Sequence, residues 1–126
     1  MSPYNKYGNK KLDTPDGKFD SKYEYEEWCR LKILEKGKYI TELQRQVPFE
    51  IVPTITTTAG TLSKIKYIAD FVYVENGVLK VVDTKGYETE IYKLKKRLFI
   101  SRYINGNAVF IERKKGKPDI VYGRIK

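Results

Sequence analysis

The pattern of apolar residues predicts a mixed α/β (α+β) domain, a central mixed sheet flanked by helices. Two stretches with helical periodicity, 21–35 and 88–103, enclose three stretches that read as strands. Between two of those strands stands Asn76-Gly77, the strongest short-range hairpin signal a sequence offers. The order is helix, three strands, helix, then one or two strands.

Each element has its own signal. Pro15-Asp16-Gly17 predicts a hairpin tip. "SKYEYEEWCRLKILE" from Ser21 carries a helical stripe with Gly37 as its stop. "LQRQVPFEIVPTIT" alternates like a strand, but Pro48 and Pro53 demote it to an edge or bulged one. "TTTAGTLS" reads as a polar connection. Strands then run from Lys66 to Val74 and from Val78 to Thr84, with Gly86 ending them. The second helix, "ETEIYKLKKRLFISRY", places Ile91, Leu94 and Leu98 on one side and stops at Asn105-Gly106. Its tail predicts two short strands around a Lys-Gly-Lys-Pro turn. No internal repeat or long linker divides the chain, so residues 1–126 are expected to form one domain. Its core runs from about 19 to 112, between a polar and hairpin N-terminal segment and a basic C-terminal hairpin.

Composition bounds the chemistry. The chain is 40% hydrophobic and 33% charged, which favours a folded domain over disorder. Lys and Arg total 25 against 16 Asp and Glu, a formal charge of +9 that favours a polyanionic partner, nucleic acid before an anionic membrane surface. No apolar run is long enough to span a membrane, and the polar start lacks a signal-peptide core. An intracellular, cytoplasmic protein is expected. With no histidine and Cys29 as the only cysteine, Ser-His and Cys-His catalysis, zinc fingers and disulfides are excluded. An enzyme built from this chain must work with carboxylates, lysines, tyrosines or hydroxyls.

Charges inside the strands are the informative anomaly. A two-residue Asn76-Gly77 turn pairs Glu75 with Val78, and the same register places Asp70 across from Asp83. Alternation puts Ile68, Val72 and Val74 on the face of Asp70, and Leu79, Val81 and Lys85 on the face of Asp83. Like charges directly opposite destabilise a sheet. Three arrangements relieve them: Lys85 as an ion-pair partner, one protonated Asp, or a divalent cation between the carboxylates. Two hard oxygen ligands on adjacent strands suit Mg²⁺ or Mn²⁺. On the first helix Glu24, Trp28 and Leu31 share a stripe, so Glu24 can reach the core face. Ser21 and Glu24 also have capping-box spacing, in which Glu24 reaches back to the Ser21 N–H. Glu27 is the weaker rival for the inward position.

A carboxylate on an early helix, Asp70 on one strand and Asp83-Thr84-Lys85 on the next resemble the PD-(D/E)XK nuclease superfamily. The blocks "FDSKYEYEEW", "QVPFEIVP", "YIADFVYVENGVLKVVDTKG" and "YKLKKRLF" look more closely like a phage-encoded domain family of unknown function assigned to that superfamily. The resemblance spans roughly residues 5 to 112, and Ala69 stands where the name-giving proline would be, a position that varies within the superfamily. It implies a restriction-endonuclease-like αβββαβ core and a Mg²⁺-dependent DNA endonuclease hydrolysing phosphodiester bonds. Asp70 and Asp83, with Glu24 and the carbonyl of Thr84, would hold Mg²⁺ (or Mn²⁺), and Lys85 would orient water or stabilise phosphate charge. Double-stranded DNA, including branched DNA such as a Holliday junction, is the implied substrate. A homodimer would let both strands be cut, and a phage-encoded protein would act in the host cytoplasm. The rival expectation is a non-catalytic phage DNA-binding module that keeps the nuclease fold.

Contacts to nucleic acid are expected from the second helix, where Lys93, Lys96 and Arg97 lie together and Thr89 is one turn before Lys93. A lysine-rich helix face is ordinarily just solvated, but its start beside Lys85 favours a phosphate-binding role. Lys64, Lys66 and the Arg113–Lys117 turn are secondary candidates, and Gln46 on the edge strand is a candidate to reach the site.

Overall fold

Turn and cap residues set the boundaries of the elements. The computed structural model describes residues 11–84 and 88–125. The Pro15-Asp16-Gly17 turn joins β1 (Leu12–Thr14) to β2 (Gly17–Phe19). Ser21 caps α1 (Lys22–Lys36), its Oγ accepting the Glu24 N–H at 3.1 Å. There follow β3 (Thr41–Val52), β4 (Ile55–Thr57), β5 (Gly60–Leu62), β6 (Ile65–Glu75) and β7 (Val78–Asp83). Thr89 caps α2 (Glu90–Tyr103), and β8 (Ala108–Glu112) and β9 (Ile120–Tyr122) complete the described chain. The stretch expected as a plain connection is thus itself the β4–β5 hairpin, held at its tip by Thr57 Oγ1, which donates to the Gly60 carbonyl at 2.8 Å.

Five strands form one mixed sheet in the order β3-β6-β7-β8-β9. Asn76 and Gly77 adopt φ of 52° and 77°, the positive values that a type I′ turn requires, and the β6–β7 register runs from Glu75↔Val78 to Phe71↔Val82 as expected. β7 and β8 are parallel, with α2 as the crossover between them; every other neighbouring pair is antiparallel. β3 is an edge strand, consistent with Pro48 lying inside it.

Adjacent strand residues feed opposite cores. Val82 and Ile111 pack with Phe71, Tyr73 and Leu31 of α1, and Trp28 stacks on Phe71 with ring centroids 6.1 Å apart. Val81 and Phe110 pack instead with Tyr67, Tyr92 and Phe99 on the α2 side. The helices therefore cover opposite faces of the sheet. The stripe expected on α2 is corrected: Ile91 and Leu94 are 68% and 59% exposed, while Tyr92 and Phe99 are buried. An aromatic pair at that spacing carries more apolar area inward than the two aliphatics could. Among the described residues no helix is long and apolar enough to cross a membrane.

Candidate functional site

The parallel register sets Asp83 beside Glu112 at the carboxyl ends of β7 and β8. One strand over, the β6–β7 register continued by a single step sets Asp70 beside Asp83. On the far side, Gln46 falls between the pairs Arg45↔Phe71 and Val47↔Ala69, which places it beside Asp70. Gln46, Asp70, Asp83 and Glu112 thus form a row across four strands. Carboxyl ends of strands flanking a crossover helix are where open α/β sheets hold ligands.

The backbone bends at this row. Ala69 and Phe71, which strict alternation would put together, belong to opposite cores, and Tyr67 and Tyr73 divide in the same way. On β3 the division falls between Leu43 on the α1 side and Val47 on the α2 side. Gln46 has φ 55°, a left-handed conformation that costs a non-glycine residue on the order of 1–2 kcal/mol. This reversal explains why Ile68, expected to share the face of Asp70, is half exposed while Val72 is buried as expected.

Glu24 is 2% exposed and uses its two oxygens differently. Oε1 accepts the backbone N–H of Asp20 at 3.2 Å, one residue earlier than a capping box requires, so the expected bond to Ser21 is replaced. Oε2 accepts Nε2 of Gln46 at 2.9 Å, and the same Nε2 lies 3.5 Å from Oδ1 of Asp70. Glu24 is therefore both a helix cap and a member of the carboxylate group. Its pKa is raised from 4.5 to about 7, first by burial, then by the charges of Asp70 and Asp20; the Asp20 N–H and Arg45 oppose the shift.

Asp70 reaches across the strand end. Its Oδ2 accepts both the backbone N–H and Oγ1 of Thr84, each at 2.8 Å. Asp83 is 1% exposed, and its Oδ2 accepts the Tyr67 hydroxyl at 2.6 Å. Burial, then the charge and hydrogen bond of Asp83, push the Tyr67 phenol far above its ordinary pKa, so it serves as a neutral donor. Lys85 lies outside the described residues. Glu24 is thus linked to Asp70 through Gln46, and Asp70 bonds Thr84, the residue that follows Asp83 at the end of β7.

Glu112 was not singled out from sequence. It is buried, and it accepts Lys96 Nζ at 2.9 Å, Tyr92 Oη at 3.0 Å and Tyr122 Oη at 2.7 Å. Burial would raise its pKa, but the bonds from Lys96, Tyr122 and Tyr92 outweigh burial and lower it. A signal existed: "LKVVD" and "AVFIE" are both apolar strands ending on an acid, and the structure pairs them residue for residue. Lys96, expected to touch phosphate, is committed to Glu112. Lys96→Ala is expected to leave a buried carboxylate without its cation and cost about 3 kcal/mol. Urea unfolding should show a lower midpoint with an unchanged slope.

The other expected contacts are dispersed. Thr89 Oγ1 caps α2 by accepting the Tyr92 N–H at 3.0 Å, and Lys93 pairs with Glu90 at 3.1 Å on the exposed side. Arg97 is exposed beside a cleft of about 470 Å³ that it lines with Lys96, Tyr122 and Arg124. Lys64 and Lys66 are exposed at and beyond the start of β6. Glu27, the rival to Glu24, is buried but held by Arg30 at 2.6 Å and Arg113 at 3.7 Å. Arg113 also pairs with Asp119 at 2.9 Å, which stabilises the turn between β8 and β9.

Among the described residues no three His, Cys, Asp or Glu side chains converge as a ready metal cage. Mg²⁺ does not require one, since it commonly takes one or two carboxylates and keeps several waters. The donors here are all hard oxygens. Among the described residues neither Glu24 nor Asp70 has a Lys or Arg nitrogen within ion-pair distance. Burial first, and then the charge of Asp70, disfavour the ionised form of Glu24, and a small divalent cation beside the two carboxylates would favour it.

A family model described as "Protein of unknown function (DUF1064)" matches residues 4–117. No curated protein and no solved structure matches the chain.

Proposed function

We propose that this chain, which belongs to the DUF1064 family of proteins of unknown function, is a divalent-metal-dependent DNA endonuclease with a restriction-endonuclease-like core. The observation that carries the reading is the meeting of Glu24, Gln46, Asp70 and Asp83 at the bend of β6 and the end of β7. Asp70 and Asp83, with Glu24 and the Thr84 carbonyl, would hold Mg²⁺ or Mn²⁺. The ion, when bound, would polarise a phosphodiester and lower the pKa of water. The chain's own residues do the rest. Thr84 and Gln46 fix Asp70, Tyr67 orients Asp83 by donating to it, and Glu24 accepts or releases a proton near neutrality. Lys85 is assigned to the water or to the phosphate charge. Double-stranded DNA, branched DNA included, and a homodimer remain part of the proposal, in the host cytoplasm if the gene is phage-borne.

One observation favours the rival, a non-catalytic DNA-binding module. Both Thr84 bonds fall on Oδ2 of Asp70, an arrangement that would serve a structural carboxylate equally well. The two readings separate when labelled duplex, single strand, flap, four-way junction and RNA are incubated with Mg²⁺, Mn²⁺ or EDTA. Cleavage of DNA with metal and none with EDTA is expected. Binding without cleavage of any substrate would establish the binding module instead.

A further inference from the structure

Residues 53–66 are exposed without interruption, yet they are ordered as a ribbon. β4 and β5 pair only with each other, apart from the five-stranded sheet. Thr54 Oγ1 accepts the Lys64 N–H at 3.1 Å at the neck of the hairpin, and Thr57 Oγ1 accepts the Ala59 N–H at 3.1 Å at its tip. An isolated two-stranded hairpin is marginal in water. This one also exposes Ile55 and Leu62, which face each other across it. Such a surface calls for a partner.

Its charge says which kind. From Ile51 to Ala69 there is no Asp or Glu, in a chain that carries 16 of them, while Lys64 and Lys66 are both exposed. Threonines supply hydroxyls along both strands of the hairpin. A two-stranded ribbon fits the ~12 Å major groove, where hydroxyls meet base edges and apolar groups meet thymine methyls. Gly60 to Asp70 spans at most about 33 Å at ~3.3 Å per residue, so the tip lies no farther from the row than about one duplex turn of ~34 Å.

We propose that the β4–β5 ribbon is a DNA-gripping arm that enters the major groove within about one turn of the phosphate held at the carboxylate row. This rests on the DNA-directed part of the reading above. It adds the surface that selects the duplex.

The test uses the full chain in EDTA with a fluorescent 30-bp duplex. In one variant Pro53–Lys64 is replaced by Asn-Gly, which closes a turn directly on the register pair Val52↔Ile65. A second variant, Lys64→Ala with Lys66→Ala, leaves the ribbon in place. The short-arm variant is expected to keep its circular dichroism and lose at least about tenfold in duplex affinity. The double lysine variant is expected to lower the log–log salt slope by about 1.8. Unchanged affinity and slope would overturn the proposal. So would an equal loss on single-stranded DNA, or conversion of a dimer to a monomer with affinity per protomer intact. Cleavage, measured separately with Mg²⁺, keeps the readings apart. Cutting with an indifferent arm defeats only the arm, and arm-dependent binding without cutting defeats only the nuclease.

Discussion

Asp83→Asn is expected to reduce metal-dependent DNA cleavage by about 10³-fold while leaving the fold and DNA affinity in EDTA intact. Asparagine matches the volume of the buried side chain and keeps an oxygen to accept the Tyr67 hydroxyl. It removes the negative charge and exchanges the other oxygen for an amide NH₂. Losing one anionic ligand from a centre that supplies several kcal/mol of charge stabilisation costs roughly 4 kcal/mol, or three decades in rate. Asp70→Asn carries a mixed penalty, because Oδ2 also accepts two Thr84 bonds and a flipped amide would lose them. The two variants are read on both scales: each should lose activity, and for a ligand the loss at Asp83→Asn should far exceed what its change in Tm accounts for. A rate for Asp83→Asn within threefold of wild type would end its assignment as a ligand. A lowered Tm with normal activity would make Asp83 a structural residue.

The local parts of this site were legible in the sequence and the non-local parts were not. Asn76-Gly77 determines a register that holds to Phe71↔Val82, so the approach of Asp70 to Asp83 follows from a two-residue turn. Glu112 entered the same row through a parallel pairing, and no turn encodes that register because a whole helix intervenes. The bend at Gln46 was equally hidden. A left-handed φ at a glutamine has no sequence signature, and it appears where the strands pass from one core to the other. On α2, the aliphatic spacing misled at Ile91 and Leu94, which are exposed, but not at Leu98, which packs against the core. The inward positions belong to Phe99, buried in the core, and to Tyr92 and Lys96, whose polar tips are absorbed by Glu112. Glu24 caps α1 with one carboxyl oxygen and bonds Gln46 with the other, so capping does not keep it from the neighbourhood of Asp70.

That double role makes Glu24 the pH-sensitive member of the site, and two profiles should report it. Its folded pKa of about 7 lies above the ordinary 4.5, so the folded state holds the proton more tightly than the unfolded chain. Between those values the folded state binds more protons, and stability must fall as pH rises. The stabilising contribution is fully present below about pH 4.5 and is lost by the time pH passes 7. Its size is roughly 3 kcal/mol at ~1.4 kcal/mol per pH unit. Glu24→Gln keeps one acceptor oxygen for the Asp20 N–H, turns an amide NH₂ toward Gln46, whose own amide can flip to accept it, and cannot ionise. Its unfolding free energy, measured in urea without metal, is expected to stay level from pH 5 to 8 while wild type declines. Activity should run the other way. Only the ionised carboxylate can assist a cation or accept a proton, so cleavage by wild type should rise about tenfold per pH unit and then level, at an inflection that bound Mg²⁺ moves below the metal-free value. Glu24→Gln should be slow and lack that limb. Adding Mg²⁺ should restore stability to wild type most strongly at pH 8, because the ion binds the charge that folding there has left unneutralised. Matching stability profiles for wild type and Glu24→Gln would assign the titration to another group. A pH-dependent stability that Mg²⁺ leaves unchanged at pH 8 would keep Glu24 as the titrating group but remove it from the metal site.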